Sequence, residues 1–219
     1  MAITMKTKKN VSAAYREWKK ISEEFGKNRY PDKIFRSGLN SFPCQFSLKE
    51  LLLGSYNAAK KCLEGCDIDK WIGYYNVISS LNSHSMQNNK FFSDHAFYFG
   101  VFYSAMISLS KQQKILLNVD GTTPPLNYLG CFNAGKEITI EGIVGEMAGF
   151  FMESGKIIIM GSEYYASLGD HCGYGLCGGE IEIKGITGYH TAHQQMGGVI
   201  RVNNWKQDLS SIGNTYGGL

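Results

Sequence analysis

No apolar run in this sequence is long enough to cross a bilayer. The most apolar stretch, HAFYFGVFYSAMISL, falls short of the roughly 20 residues that a helical span needs. No apolar core follows the basic start MAITMKTKKN, so no signal peptide is expected. None of the six cysteines stands in C-x-x-C spacing. Without a leader, they read as reduced thiols, and a cytoplasmic protein is expected. Charge of one sign is also lacking. A net +3 over 219 residues is too little to imply a nucleic-acid partner. Neither membrane nor nucleic acid is therefore an expected partner.

Glycine is scarce in one half only. Residues 1–129 hold 7 of the 26 glycines and residues 130–219 hold 19. Charge divides similarly. Residues 1–120 carry 17 Lys+Arg against 10 Asp+Glu, and the remainder carries 5 against 9. With 43% hydrophobic residues, the chain can build a core in each part. The expected class is α+β in two segregated parts. Residues 1–113 form a helical domain, 114–205 a short right-handed parallel β-helix, and 206–219 a C-terminal tail.

The helical reading rests on periodicity. Tyr15, Trp18, Ile21 and Phe25 recur at helical spacing ahead of Gly26. Ser47-Leu48-Lys49-Glu50 has the form of a capping box, and the helix it opens would stop at Gly65. A third helix is expected from Asp67, with Ile68, Trp71, Tyr75, Ile78 and Leu81 on one face. A fourth, from Asp94, is apolar nearly all round and should be buried.

The second part repeats. KILLNVDG, KEITIEG, KIIIMG and EIEIKG end at Gly121, Gly142, Gly161 and Gly185, and VIRVNN puts Asn204 in the glycine's place. The steps are 21, 19, 24 and 19 residues. A period near 20 marks a solenoid, in which each coil covers the apolar face of the last. Aligning the strands places Leu117/Val119, Ile138/Ile140, Ile157/Ile159, Ile181/Ile183 and Ile200/Val202 inward. Glu137, Lys156 and Glu180 then stack outward with alternating sign, and Glu182 falls beside Arg201.

The same alignment sorts the glycines into columns. Gly145, Gly169 and Gly188 share one position, Gly149, Gly173 and Ala192 a second, and Gly155, Gly179 and Gly198 a third. Glycine takes positive φ at a corner without a Cβ clash, and stacked corners leave little room for side chains. A phosphate cradle is excluded by context. GYGLCGG lacks the Lys-Ser/Thr of a P-loop, and a strand follows it where a dinucleotide site needs a helix.

GEMAGFFMESGKIIIMG, GDHCGYGLCGGEIEIKG and GYHTAHQQMGGVIRVNN resemble successive units of the glycine-rich GXGXG domain. That domain is the C-terminal part of the glutamate synthase large subunit and occurs in one of the subunits of formylmethanofuran dehydrogenase. The resemblance covers roughly residues 114–204 and implies a right-handed parallel β-helix acting as a scaffold, with no cofactor of its own. The chain lacks a glutaminase-like N-terminal cysteine, a flavin barrel and an iron–sulfur cysteine cluster, so the family's reaction does not carry over.

Several residues suggest chemistry and are weighed against plainer roles. His171 and His190 share a repeat position, with His193 and Cys172 nearby, and zinc takes such donors. Turn residues at a solenoid edge are the plainer account. Cys62 and Cys66 would share a helix face as a redox pair or half a metal site, or simply pack. His95 beside Asp94 reads as a helix-start residue and His84 as a loop residue. The lysines at 19–20 and 60–61 read as solvated faces. Tyr164 and Tyr165, in the longer third coil, are candidates for a contact loop. No catalytic, cofactor or metal residue is assigned. The expected function is a non-catalytic structural or protein-interaction module, through a protein partner or self-association. The alternatives are an accessory subunit of an oxidoreductase complex and a small metal-binding protein using the His171/His190 edge.

Overall fold

The computed structural model describes residues 45–73, 90–119, 125–161 and 169–202. The helix expected over Tyr15–Phe25 lies outside these residues. So do Tyr75, Ile78, Leu81, His84, Tyr164, Tyr165, the tail 206–219 and the side chain of His95.

Gln45–Cys62 forms helix α1. It begins ahead of Ser47, so the Ser47–Glu50 pair lies within its first turns and is not the end cap that the sequence suggests. It stops as expected. Gly65 has φ +82°, and the Cys66 N–H donates to the Leu63 carbonyl at 3.1 Å. Cys62 and Cys66 therefore do not share a helix face; both are half-buried against the core. A second helical run begins at residue 68, where the Asp67 carbonyl accepts the Trp71 N–H at 3.1 Å. Ile68 and Trp71 are buried, as their spacing requires. Lys90–Leu109 forms α2, which starts ahead of Asp94. Every residue from 101 to 107 is buried, so this helix is the central one among those described.

Five parallel strands follow among the described residues: β1 Lys114–Asn118, β2 Ala134–Glu141, β3 Ser154–Met160, β4 Glu180–Lys184 and β5 Val199–Val202. They pair in sequence order, which makes a parallel β-solenoid. The inward columns are as expected from β2 onward. Ile138, Ile157, Ile181 and Ile200 are in register, as are Ile140, Ile159, Ile183 and Val202. The first strand is shifted. Ile115 and Leu117 oppose Ile138 and Ile140, where the sequence alignment puts Leu117 and Val119. A slip of two residues keeps every side chain on its own face, so Ile115, Leu117 and Val119 are all buried.

Outside, the charge column forms with one difference. Lys114 pairs with Glu137 at 2.9 Å, and Lys156 reaches both Glu180 at 3.2 Å and Glu182 at 2.9 Å. Arg201 stands opposite Glu182 in register but leans diagonally to Glu180 at 3.3 Å.

Between strands, each coil returns through residues 126–133, 145–152, 169–177 and 188–196, which are turns and irregular backbone. These paths share an unusual backbone. Positive φ recurs at every second residue: 128, 130 and 132; 147, 149 and 151; 171, 173 and 175; 190, 192 and 194. Hydrogen bonding explains it. The first and third of the first three sets donate to the next coil, as Met147 does to the Asp170 carbonyl at 2.9 Å and Phe151 to Tyr174 at 3.0 Å. The middle one donates to the preceding coil, as Gly149 does to Leu129 at 2.9 Å. A left-handed residue other than glycine costs about 1–2 kcal/mol. The described stack holds eight such residues, and six of them, Tyr128, Phe132, Met147, Phe151, His171 and Ala192, gain inter-coil partners for their N–H groups.

No described coil precedes the first, and α2 supplies the missing acceptor. Gly130, the middle position there, donates its N–H to Ser104 Oγ at 2.8 Å. Ser104 donates in turn to a carbonyl, Gly100 at 2.7 Å or Tyr128 at 3.1 Å. Gly100 lies against the Asn127 carbonyl so closely that a Cβ would overlap it. On α1, Tyr56 meets Phe132 at 5.3 Å and Lys49 sits 4.6 Å above the Phe151 ring. Helices and coils thus share one continuous core, from Leu48 to Ile183.

Candidate functional site

Alternation along the return path decides which side chains meet. Leu129, Ala148, Cys172 and Thr191 form the inward column, all buried. Cys172 is fully buried there, and burial pushes its thiol up to about 12. It therefore belongs to the core and not to the histidine edge. Cys131 is likewise pushed to about 12 by burial.

The histidines do come together. His171 and His190 lie in one column with Met147, and their rings stack at 4.9 Å with 23° between planes. His193 stands edge-on to both, 6.1 Å from His171 and 5.9 Å from His190. His193 also ends an aromatic ladder that the glycine and strand columns do not reveal. Phe150 stacks on Tyr174 at 5.6 Å and 10°, and Tyr174 meets His193 at 5.6 Å. Extending the alignment to positions 131, 150, 174 and 193 would have revealed it, because these positions are also one repeat apart.

Carboxylates border the cluster. Asp170 Oδ1 accepts the Tyr189 N–H at 2.8 Å, just as Asn127 Oδ1 accepts the Glu146 N–H at 2.9 Å two coils earlier. The neighbouring glycines leave room for this: a Cβ on Gly188 would lie 2.7 Å from Asp170 Oδ1. Burial, and then the Asp170 charge, raises the Glu146 carboxyl above its usual range. His171 is held below its usual 6.5, first by burial and then by His190, with His193 adding to this and Asp170 opposing it.

A lowered histidine pKa means that the unfolded chain takes up the proton more readily. His171 thus leaves stability intact above about pH 6.5 and removes it as pH falls through that value toward the folded one. Glu146 acts in the opposite sense. Its raised carboxyl regains stability as pH falls through its folded value toward the usual 4.5. Urea midpoints are expected to fall from about pH 7 to about pH 5.5, and less steeply in His171→Phe. Equal slopes in the two proteins would show that this ring is not the titrating group.

His171 Nδ1 and Gln194 Oε1 are buried without a hydrogen-bond partner among the described residues. No group of three or more His, Cys, Asp or Glu side chains among those residues could hold a metal ion. No described helix is long and apolar enough to cross a membrane. No family model matches the chain, and neither a curated protein nor a solved structure matches it.

Proposed function

We propose that the chain is a non-catalytic structural and protein-interaction module built on a GXGXG-type β-solenoid, and that its contact surface is the C-terminal end of the stack. One observation carries the reading. At the N-terminal end Ser104 receives the Gly130 N–H, for which no preceding coil is described. At the other end, no described residue performs this role. His190 and Gln194 occupy positions whose N–H groups donate forward in earlier coils, and no described coil follows them. The outer edge of β5 meets no further described strand. Tyr189 and Met196 are 57% and 65% exposed, and Ile200 and Val202, inward-facing, are only half-buried. An edge with apolar neighbours and no described strand beyond it can serve as a template for another chain. The two deeply buried, protonated thiols are poor nucleophiles, which supports a non-catalytic role.

The test is recovery of the full-length chain from its native extract, with mass, absorbance and partner identity measured. Further copies or a stoichiometric partner are expected, and both should be lost in Tyr189→Lys/Met196→Lys. A flavin or metal oxidoreductase as that partner would make the chain its accessory subunit, the reading that the GXGXG resemblance favours. A monomer recovered alone would overturn the interaction reading.

A further inference from the structure

The last described coil is held more thinly than the one before it. In residues 169–184, Cys172, Tyr174, Leu176, Ile181 and Ile183 are all buried, whereas in residues 188–202 only Thr191 is. A segment with so little buried apolar surface opens at low cost. At its corner, imidazoles tie it down. His190 stacks on His171 at 4.9 Å, and His193 stands edge-on to both at 5.9 and 6.1 Å. Two hydrogen bonds flank the stack: the Tyr189 N–H donates to Asp170 Oδ1 and the His171 N–H to the Tyr189 carbonyl, both at 2.8 Å. We propose that this three-imidazole cluster is a pH-operated latch, which holds residues 188–202 on the stack while neutral and releases them when it takes up protons.

Geometry makes the neutral form the closed one. A proton on one ring sets a positive charge 4.9–6.1 Å from the other two and repels a second proton. His171 resists further. Neutral imidazole can carry its one hydrogen on Nε2, but imidazolium carries one on each nitrogen. His171 Nδ1 is buried with no acceptor among the described residues. Burial first, then His190 and more weakly His193, hold this ring below its usual 6.5, against the pull of Asp170. Glu146, on the preceding coil, faces Asp170. Lys49 of α1 lies over Phe151, whose ring meets Tyr174 at 6.2 Å. Once residues 188–202 leave the stack, the rings regain water and their ordinary pKa, so acid favours the open form. Tyr189 and Met196 ride on this coil, so opening also disperses the proposed contact surface, a consequence that rests on the interaction reading. The latch itself does not.

The experiment is hydrogen exchange of the full-length chain, read by mass spectrometry and corrected for the intrinsic pH dependence of exchange. Exchange in residues 188–202 should rise from about pH 6.5 downward and reach about 10-fold by about pH 5.5, the factor set by a histidine that titrates at its ordinary value only when open. Exchange in β2 and β3 should stay level. His171→Phe keeps a ring in the column but cannot take a proton, and it should remove most of the rise. An equal rise along the whole solenoid would overturn the latch, as would an onset only below about pH 5, where carboxylates titrate. So would a rise that His171→Phe keeps, or one that fades at higher protein concentration and so reports separating copies. The onset is read on the unaltered chain, which keeps the test decisive even where the variant does not fold. Exchange needs no partner, so its outcome is separate from that of the interaction test.

Discussion

Gly155→Ala should lower the unfolding free energy by about 2–4 kcal/mol, against about 1 kcal/mol for Gly65→Ala. The two positions separate two reasons for glycine. Gly65 ends a helix at φ +82°, and a Cβ there meets nothing within 4 Å. Its substitution carries the torsional cost alone. Gly155 has φ +90°, and its Cβ would lie 2.4 Å from the Lys136 carbonyl oxygen and 2.8 Å from Gly135 C. Both obstacles are backbone of the preceding coil, so no side chain can move aside. The pairing of β2 with β3 must open instead. The column continues, since Gly179 would meet the Gly155 carbonyl oxygen at 2.7 Å and Gly198 the Gly179 carbonyl oxygen at 2.7 Å. Urea unfolding of both variants measures the difference. Equal losses would mean that torsion alone selects glycine here, and the stacking account would fail.

The solenoid was legible because two independent periodicities agree. Within a strand, alternation sets the face; between strands, a repeat near 20 residues sets the neighbour. Ile138, Ile157, Ile181 and Ile200 satisfy both, and the structure places them in register. The first strand failed on the second criterion only. Its step to β2 is 23 residues in register, from Lys114 to Glu137, whereas the glycine-based alignment makes it 21. Alternation cannot detect a slip of two, because both registers bury the same face. The Ser47–Glu50 box failed for another reason: its residue types also suit a helix interior, and α1 starts before it.

At the histidine edge, repeat position identifies the right column, while adjacency in sequence points to the wrong neighbour. A shared repeat position predicts that His171 and His190 meet, and their rings stack. Adjacency suggests Cys172 as well. Positive φ at every second residue turns successive side chains to different sides of the return path, so Cys172 goes inward. That alternation does not place His193, which stands three residues from His190; it is reached as the end of the Phe150–Tyr174 ladder. Nothing in the sequence announces that eight described residues other than glycine adopt positive φ, and for six of them the backbone N–H bonds to a coil distant in the chain.

The second glycine column has a side-chain cause that a double substitution isolates. A Cβ on Gly149 would lie 2.6 Å from Ile181 Cδ1, and Ile181 is fully buried one coil on. Gly149→Ala should therefore cost about 2–4 kcal/mol, from torsion at φ +68° plus overpacking. Ile181→Val removes that same Cδ1 and should cost about 0.5–1.5 kcal/mol alone. The pair should lose about 1–2 kcal/mol less than the sum, because the deleted methyl is the one that the new methyl strikes. Additivity would mean that the isoleucine tip does not dictate the glycine. The relation recurs at Gly130, 2.6 Å from Ile157 Cδ1, and at Gly173, 2.4 Å from Ile200 Cδ1. It stops at the fourth position, where Ala192 holds φ +65° with a Cβ in place. No described strand follows β5 to bring an isoleucine there. Alanine stands where the backbone still demands positive φ but no described neighbour crowds it, so the tip of the neighbouring isoleucine, more than the torsion, is what excludes a Cβ from the other three positions.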